Sequence, residues 1–239
     1  PFEGEGAGVR ALRAAAEGTG LCVPRVLHAR DGAPGVLLLE WIDEAPRTSA
    51  HGRRRAAALA GLHRKEPPGG GAYGFDRDNF IGRLPQQNGW LDDWPAFFRE
   101  RRLAPQIALA RRNGRWSARW DRPAERLLDR LGDLLPHRPV PSLLHGDLWA
   151  GNQLADAQGR PWIVDPAAYV GDRETDLAMT ELFGRFDAAF YDAYCEAWPL
   201  DPGYEERRPI YDLYHLLNHL NHFGSAYAGE VERTLFRLC

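Results

Sequence analysis

With 239 residues, 44% of them hydrophobic, and no tract of about 18 apolar residues, the chain can bury the core of one large domain or two lobes and offers no membrane span. Its 30 basic residues against 33 acidic ones leave a net charge of -3, so no overall field recruits nucleic acid or a membrane surface. No export signal is apparent, which makes the cytoplasm the expected compartment, and Cys22, Cys195 and Cys239, far apart and in no Cys-x-x-Cys pairing, read as free thiols.

Phe2 to Glu17 is rich in Ala, Arg, Leu and Glu and is closed by Gly18 to Gly20, the pattern of a helix with a glycine stop. Two short apolar runs, Val23 to Ala29 and Gly35 to Ile42, flank the turn-forming "RDGAPG" and predict two antiparallel strands. From Ala45 the character becomes helical, over Ser49 to Arg64, Trp94 to Arg112, Pro123 to Leu135 and, last, Tyr204 to Ala228. Asp92 and Asp93 stand where the cap of the Trp94 helix belongs, with Pro95 in its first turn, so capping explains them better than a metal pair does. Gln153 to Ala155 and Pro161 to Val164 flank "DAQGR" and predict a second hairpin. On the last helix His215, His219 and His222 repeat at i, i+4 and i+7; without a Glu or Cys partner in a metalloenzyme pattern, packing and hydrogen bonding are expected of them rather than zinc.

The stretch "LLHGDLWAGN", Leu143 to Asn152, carries the chemistry. Asp147 and Asn152 stand five residues apart, and Asp165 follows the apolar run Trp162-Ile163-Val164, so three oxygen-bearing side chains flank the predicted hairpin. Each alone is an ordinary turn former. Together they are the parts phosphoryl transfer needs: a carboxylate to orient and deprotonate an acceptor hydroxyl (Asp147), and hard oxygen ligands for Mg²⁺ (Asn152, Asp165). His145 is expected to support the loop through hydrogen bonds, since Asp147 fills the base role. Asp176, opening the helical "DLAMTELFGRF", reads equally as an N-cap or as a carboxylate reaching back to the loop. Gly146 in place of the arginine of protein kinases, "DPA" in place of Asp-Phe-Gly, and the short span from Asp165 to Asp176 point away from an activation loop and toward a small acceptor.

Those motifs, with "FEGE" at Phe2 to Glu5, "GVLLLEWID", "NGWLDDWPAFFRERRLAPQ" at Asn88 to Gln106, "IVDPAAYVGDRETDLAM" at Ile163 to Met179 and "LNHLNHFGSAYAG" at Leu217 to Gly229, resemble the fructosamine kinase (ketosamine 3-kinase) family over nearly the whole chain. The resemblance implies an α+β, protein-kinase-like two-lobed fold, with residues 1–44 from a nucleotide-binding lobe and 45–239 forming a helical catalytic and substrate lobe. It implies ATP and Mg²⁺ as cofactors and O3 of a ketosamine, free or on a glycated protein, as acceptor, and hence protein deglycation. By the same matching Asp147 is the base, Asn152 and Asp165 are metal ligands, Trp149 is a wall of the sugar pocket, and the backbone of Glu40, Trp41 and Ile42 is the hinge that meets adenine. An aromatic face beside the base suits a sugar or its amine-bearing arm.

Kinases of this fold clamp the α- and β-phosphates with a lysine paired to a helical glutamate. Glu5 matches that glutamate, but the sole lysine, Lys65, follows the hinge and cannot be its partner. Strands of the small lobe are therefore expected outside the sequence given, roughly 40–50 residues from the span of a three-stranded sheet. An aminoglycoside-type or other small-molecule phosphotransferase, and an inactive kinase-like binding module, are the alternatives.

Overall fold

In the computed structural model, which describes residues 2–46 and 49–239 (side chains at 49 and 50 excepted), helix α1 (Phe2–Ala15) gives way to Gly18 and Gly20 at positive φ, 77° and 84°. Its buried face carries Gly4 and Gly8, and their size matters. A Cβ on Gly8 would stand 3.0 Å from the Ala168 Cβ, and one on Gly4 the same distance from the Asp78 carbonyl oxygen. The helix thus lies directly on the segment that follows Asp165. Beside it β1 (Val26–Arg30) pairs antiparallel with β2 (Val36–Leu39). The second strand is shorter than its apolar run. Pairing closes at Glu40, whose N–H donates to the Arg25 carbonyl at 2.9 Å, and Trp41 to Pro46 continue without regular structure.

Helix α2 (Ser49–His63) is followed by a hairpin that the sequence reading did not anticipate, β3 (Asn79–Ile81) and β4 (Leu84–Gln86), turning through Gly82 at φ 58°. The stretch from Trp94 to Arg112 is helical throughout, but its winding changes. Helix α3 (Trp94–Phe97), capped by the Asp93 carboxylate accepting from Ala96 N at 2.9 Å, runs into a π-helical stretch, Phe98–Leu103, and then α4 (Ala104–Arg112). Pro105 explains the wider turn. It has no N–H to give the Arg101 carbonyl, and the Arg102 guanidinium supplies that bond instead at 2.9 Å.

Helices α5 (Asp121–Asp129) and α6 (Leu131–Leu134) precede β5 (Ser142–Leu144), which pairs with β8 (Tyr169–Gly171); the hairpin β6 (Gln153–Ala155) and β7 (Pro161–Ile163) lies between them, as expected. The chain closes with α7 (Glu174–Leu182), α8 (Ala188–Ala197), α9 (Tyr204–Phe223) and α10 (Ala228–Arg237). The last predicted helical region, Tyr204 to Ala228, is α9 and a single 3-10 turn, Ser225–Tyr227, because Gly224 at φ 83° stops α9, and α10 continues beyond it. All three cysteines are free, and no described helix is long and apolar enough to cross a membrane.

The core of the helical part centres on Trp94, whose ring lies 5.2–6.3 Å from those of Tyr73, Phe97, Phe98 and Tyr211. Arg102 is wholly buried beside it, its guanidinium 3.9 Å from the Tyr169 ring centre and bonded to Asn88 Oδ1 (2.7 Å) and the Gln87 carbonyl (2.6 Å). A planar fork that stacks and donates at once cannot be replaced by an ammonium. Arg102→Lys should therefore cost about 2–4 kcal/mol, from the worth of buried charged hydrogen bonds, and lower Tm by roughly 5–15 °C in a thermal melt; an unchanged Tm would contradict this account of the core.

Candidate active site

Strand β5 delivers His145 and Gly146 into a loop whose backbone is pinned from α7. Asp176, 1% exposed, accepts from His145 N through Oδ2 and from Gly146 N through Oδ1, both at 2.8 Å, and its Oδ2 also meets His63 Nε2 at 3.2 Å. It is the third residue of α7 and not its cap; the capping carboxylate is Asp172, accepting from Glu174 N at 3.0 Å. Burial pushes the Asp176 carboxyl upward, but the His63 bond and charge and the loop N–H groups outweigh it and hold the group below its ordinary value. Gly146 sits at φ 81°, where any Cβ would fall 2.1 Å from the Ala167 carbonyl oxygen, so no side chain, arginine included, fits there.

His145 is buried and neutral. Its Nδ1 accepts from Asp147 N (3.2 Å), which leaves the proton on Nε2 to donate to the Val164 carbonyl at 2.8 Å, and burial lowers its pKa. Asp147 follows, with Asn152 Nδ2 donating to its carbonyl (2.9 Å) and to Oδ2 (3.3 Å). Burial pushes the Asp147 carboxyl up to about 7, the Asn152 bond opposing and the charges of Asp176 and Asp165 adding to the rise. Asp165 is exposed and is the one non-glycine residue with positive φ (53°) among the described residues, a backbone cost of the kind that persists where surroundings over-determine it. Here Val164 N bonds the Asn152 carbonyl at 3.0 Å and Ala167 N the His145 carbonyl at 2.9 Å, clamping Asp165 from both sides. Glu5 on α1 faces it: burial, then the Asp165 charge, raises the Glu5 carboxyl.

A cavity of about 510 Å³ opens at Asp147, walled by Trp149, by the hairpin turn at Ile81 and Arg83, and by Asn218 and His222 of α9. The sequence reading missed Asn218 and this hairpin. Asn218 is 4% exposed, and its Nδ2 has no hydrogen-bond partner among the described residues. Nothing in its spacing singles it out from the histidines around it. Two of those histidines are occupied individually, His219 Nδ1 by the His215 carbonyl (2.9 Å) and His222 Nε2 by the Ile81 carbonyl (3.1 Å); the His215 ring is buried with its Nδ1 unpartnered among the described residues, and burial pushes it down to about 3. At the other end, Glu40 spends its carboxylate on Arg25 and Arg13 (3.4 and 3.8 Å) and its N–H on Arg25, which leaves the peptide groups of Trp41 and Ile42 as the candidates for the expected hinge. Lys65 follows α2 directly, remote in sequence from Glu5.

The raised Asp147 carboxyl has a consequence for stability. The native chain keeps that proton up to about pH 7, whereas an unfolded aspartate releases it near 3.9, so rising pH through this window destabilises the native state and the cost is complete above it. In metal-free protein held in EDTA, Asp147→Asn should raise Tm at pH 8 by about 5 °C and lose that advantage as the pH falls toward 4. Equal melting points across the range would refute it.

Comparison with known proteins identifies the family. A sequence profile for the family described as "Fructosamine kinase" matches residues 1–239. The chain is 42% identical over 236 residues to a "Probable ketoamine kinase" of Synechocystis sp., covering 98% of this chain and 77% of the relative. It is 37% identical over 234 residues to the chloroplastic protein-ribulosamine 3-kinase of Oryza sativa subsp. indica, covering 96% and 66%. Among solved structures, the "putative fructosamine-3-kinase" of Thermobifida fusca superposes with a TM-score of 0.89 at 35% identity, over 99% of this chain and 79% of that one. A choline kinase of Streptococcus pneumoniae shares the fold alone, with a TM-score of 0.65 at 16% identity over 100% and 79%. The chain belongs to the fructosamine kinase family and is a kinase of the α+β, protein-kinase-like two-lobed fold.

Proposed function

We propose that this kinase transfers the γ-phosphoryl group of ATP to O3 of a ketosamine held in the cavity at Asp147. The observation that carries the reading is the placement of one carboxylate, pushed up to about 7, at the mouth of a cavity with an aromatic wall and an unpartnered buried amide. A base of that strength is matched to a hydroxyl proton near neutral pH. In this reading Asp147 orients the O3 hydroxyl and takes its proton as the oxygen attacks, Asn218 donates its amide to the sugar, and Trp149 covers the sugar or its amine-bearing arm.

The donor set suits Mg²⁺. Asn152 Nδ2 is engaged by Asp147, which leaves its Oδ1 to serve as a hard ligand, and Asp165 offers an exposed carboxylate. Bound Mg-ATP supplies the phosphoryl group and the neutralisation of its developing charge. Residues 1–44 then belong to the nucleotide lobe, with Trp41 and Ile42 at the hinge and Glu5 positioned as the partner of a clamp cation, and residues 45–239 form the catalytic and acceptor lobe. His145 and Asp176 hold the loop. Phosphorylation makes O3 a leaving group: loss of a C1 proton and of inorganic phosphate leaves an imine at C1, and its hydrolysis by water frees the amine, so the work is deglycation of small ketosamines or of glycated proteins.

The test is ADP release by the full-length protein with Mg-ATP and, in parallel, ribulosyl-lysine, fructosyl-lysine and an aminoglycoside. Turnover on a ketosamine is expected, falling roughly 10²–10⁴-fold in Asp147→Asn, the usual worth of a general base. Preference for the aminoglycoside, or no turnover by folded protein, would overturn the reading.

A further inference from the structure

Gly151 sits between the aromatic wall and the amide of Asn152, and no backbone reason keeps it a glycine. Unlike Gly146, it does not have a positive φ. What excludes a side chain is Trp149. A Cβ on Gly151 would stand 2.3 Å from Cη2, 2.4 Å from Cζ2 and 2.8 Å from Cε2 of the indole, closer than atoms can pack. The main chain cannot yield easily, since Trp149 N donates to the Asp147 carbonyl and Asn152 N to the Trp149 carbonyl, each at 3.1 Å. The indole itself is 41% exposed, so its outer face is the direction left open to it. A single methyl at 151 must therefore turn the ring rather than the loop.

We propose that Gly151 is a positioning residue for the acceptor: its bare Cα is the seat on which the Trp149 indole lies, and that seat sets the orientation of the cavity wall and with it the affinity for the ketosamine. The inference rests on the reading of this cavity as the acceptor site. Gly151 offers no side chain to base or metal ligand, so its effect falls on acceptor binding, through Trp149.

The experiment is steady-state kinetics of the full-length protein with ribulosyl-lysine varied at saturating Mg-ATP, for the parent, Gly151→Ala, Trp149→Ala and the double variant. Gly151→Ala should raise the acceptor KM roughly 3–10-fold, the range of one aromatic contact, with kcat and the KM for ATP changed by less than about twofold. In the Trp149→Ala background, where the seat is vacant, the same substitution should leave the acceptor KM unchanged within about twofold. An equal rise in both backgrounds, or a fall in kcat with KM intact as a displaced Asn152 would give, overturns the proposal. The double variant also serves where Gly151→Ala alone folds poorly, because the colliding ring is gone. If Trp149→Ala leaves the acceptor KM untouched, the wall assignment fails and the proposal with it; absence of ketosamine turnover in the parent strikes the functional reading itself.

Discussion

The loop that carries Asp147 exists in its observed shape because a single buried carboxylate holds it. Asp176 accepts two consecutive backbone N–H groups, those of His145 and Gly146, and meets His63 besides. Without an acceptor there, both donors would be orphaned at positions with no access to water, each at a cost of about 1–3 kcal/mol. The location in the first turn of α7 adds the favourable end of the helix dipole to the negative charge. His63 is in turn fixed by Tyr194 OH at 2.8 Å, so α2, α7 and α8 all converge on the loop.

Two carboxylates in this small region are thereby driven apart in character. Asp176 is surrounded by donors and stays below the ordinary aspartate value; Asp147 has one donor, is buried, and faces the charges of Asp176 and Asp165, so it rises to about 7. Environment alone separates a structural anion from a group poised near neutrality. Glu5 follows the second pattern, raised by burial and by Asp165. A cation beside Asp147 and Glu5 would lower both, which is the electrostatic sense of the metal and clamp roles proposed for this side of the site.

The parts of the fold that were legible in the sequence are those whose cause is local. The glycine stop after α1, the turn cluster between β1 and β2, the Asp93 cap and the β6–β7 hairpin all rest on residues within a few positions of one another, and the order Asp147, Asn152, Asp165 spans that one hairpin. The β3–β4 hairpin was not legible, because its strands are three residues long and its polar members, Asn79 and Gln86, are buried by partners about 80–90 positions away. Asp176 could be read as a cap or as a carboxylate reaching back to the loop, and its sequence neighbours could not choose between the two; its bonds to His145 N and Gly146 N are the second. Asn218 was hidden among alternating Asn and His residues, and only packing decides which amide faces the cavity and which, like Asn221, binds Gln106.

That unanticipated hairpin is what joins the two halves of the site. Gln86 donates to the Ala167 carbonyl (3.0 Å) and to Asn79 Oδ1 (2.8 Å), Asn79 donates to the Ala168 carbonyl (2.8 Å), and Tyr214 OH donates to Gln86 Oε1 at 2.6 Å. The same amides therefore hold the segment after Asp165 and the face of α9 one turn before Asn218. Asn88 extends the network to Arg102, the guanidinium that Pro105 draws into the core. The network's geometry couples the cavity wall to the segment after Asp165 through polar bonds and not through apolar contact alone, so in the proposed reaction the spacing between phosphoryl donor and acceptor hydroxyl would be set by side chains that touch neither.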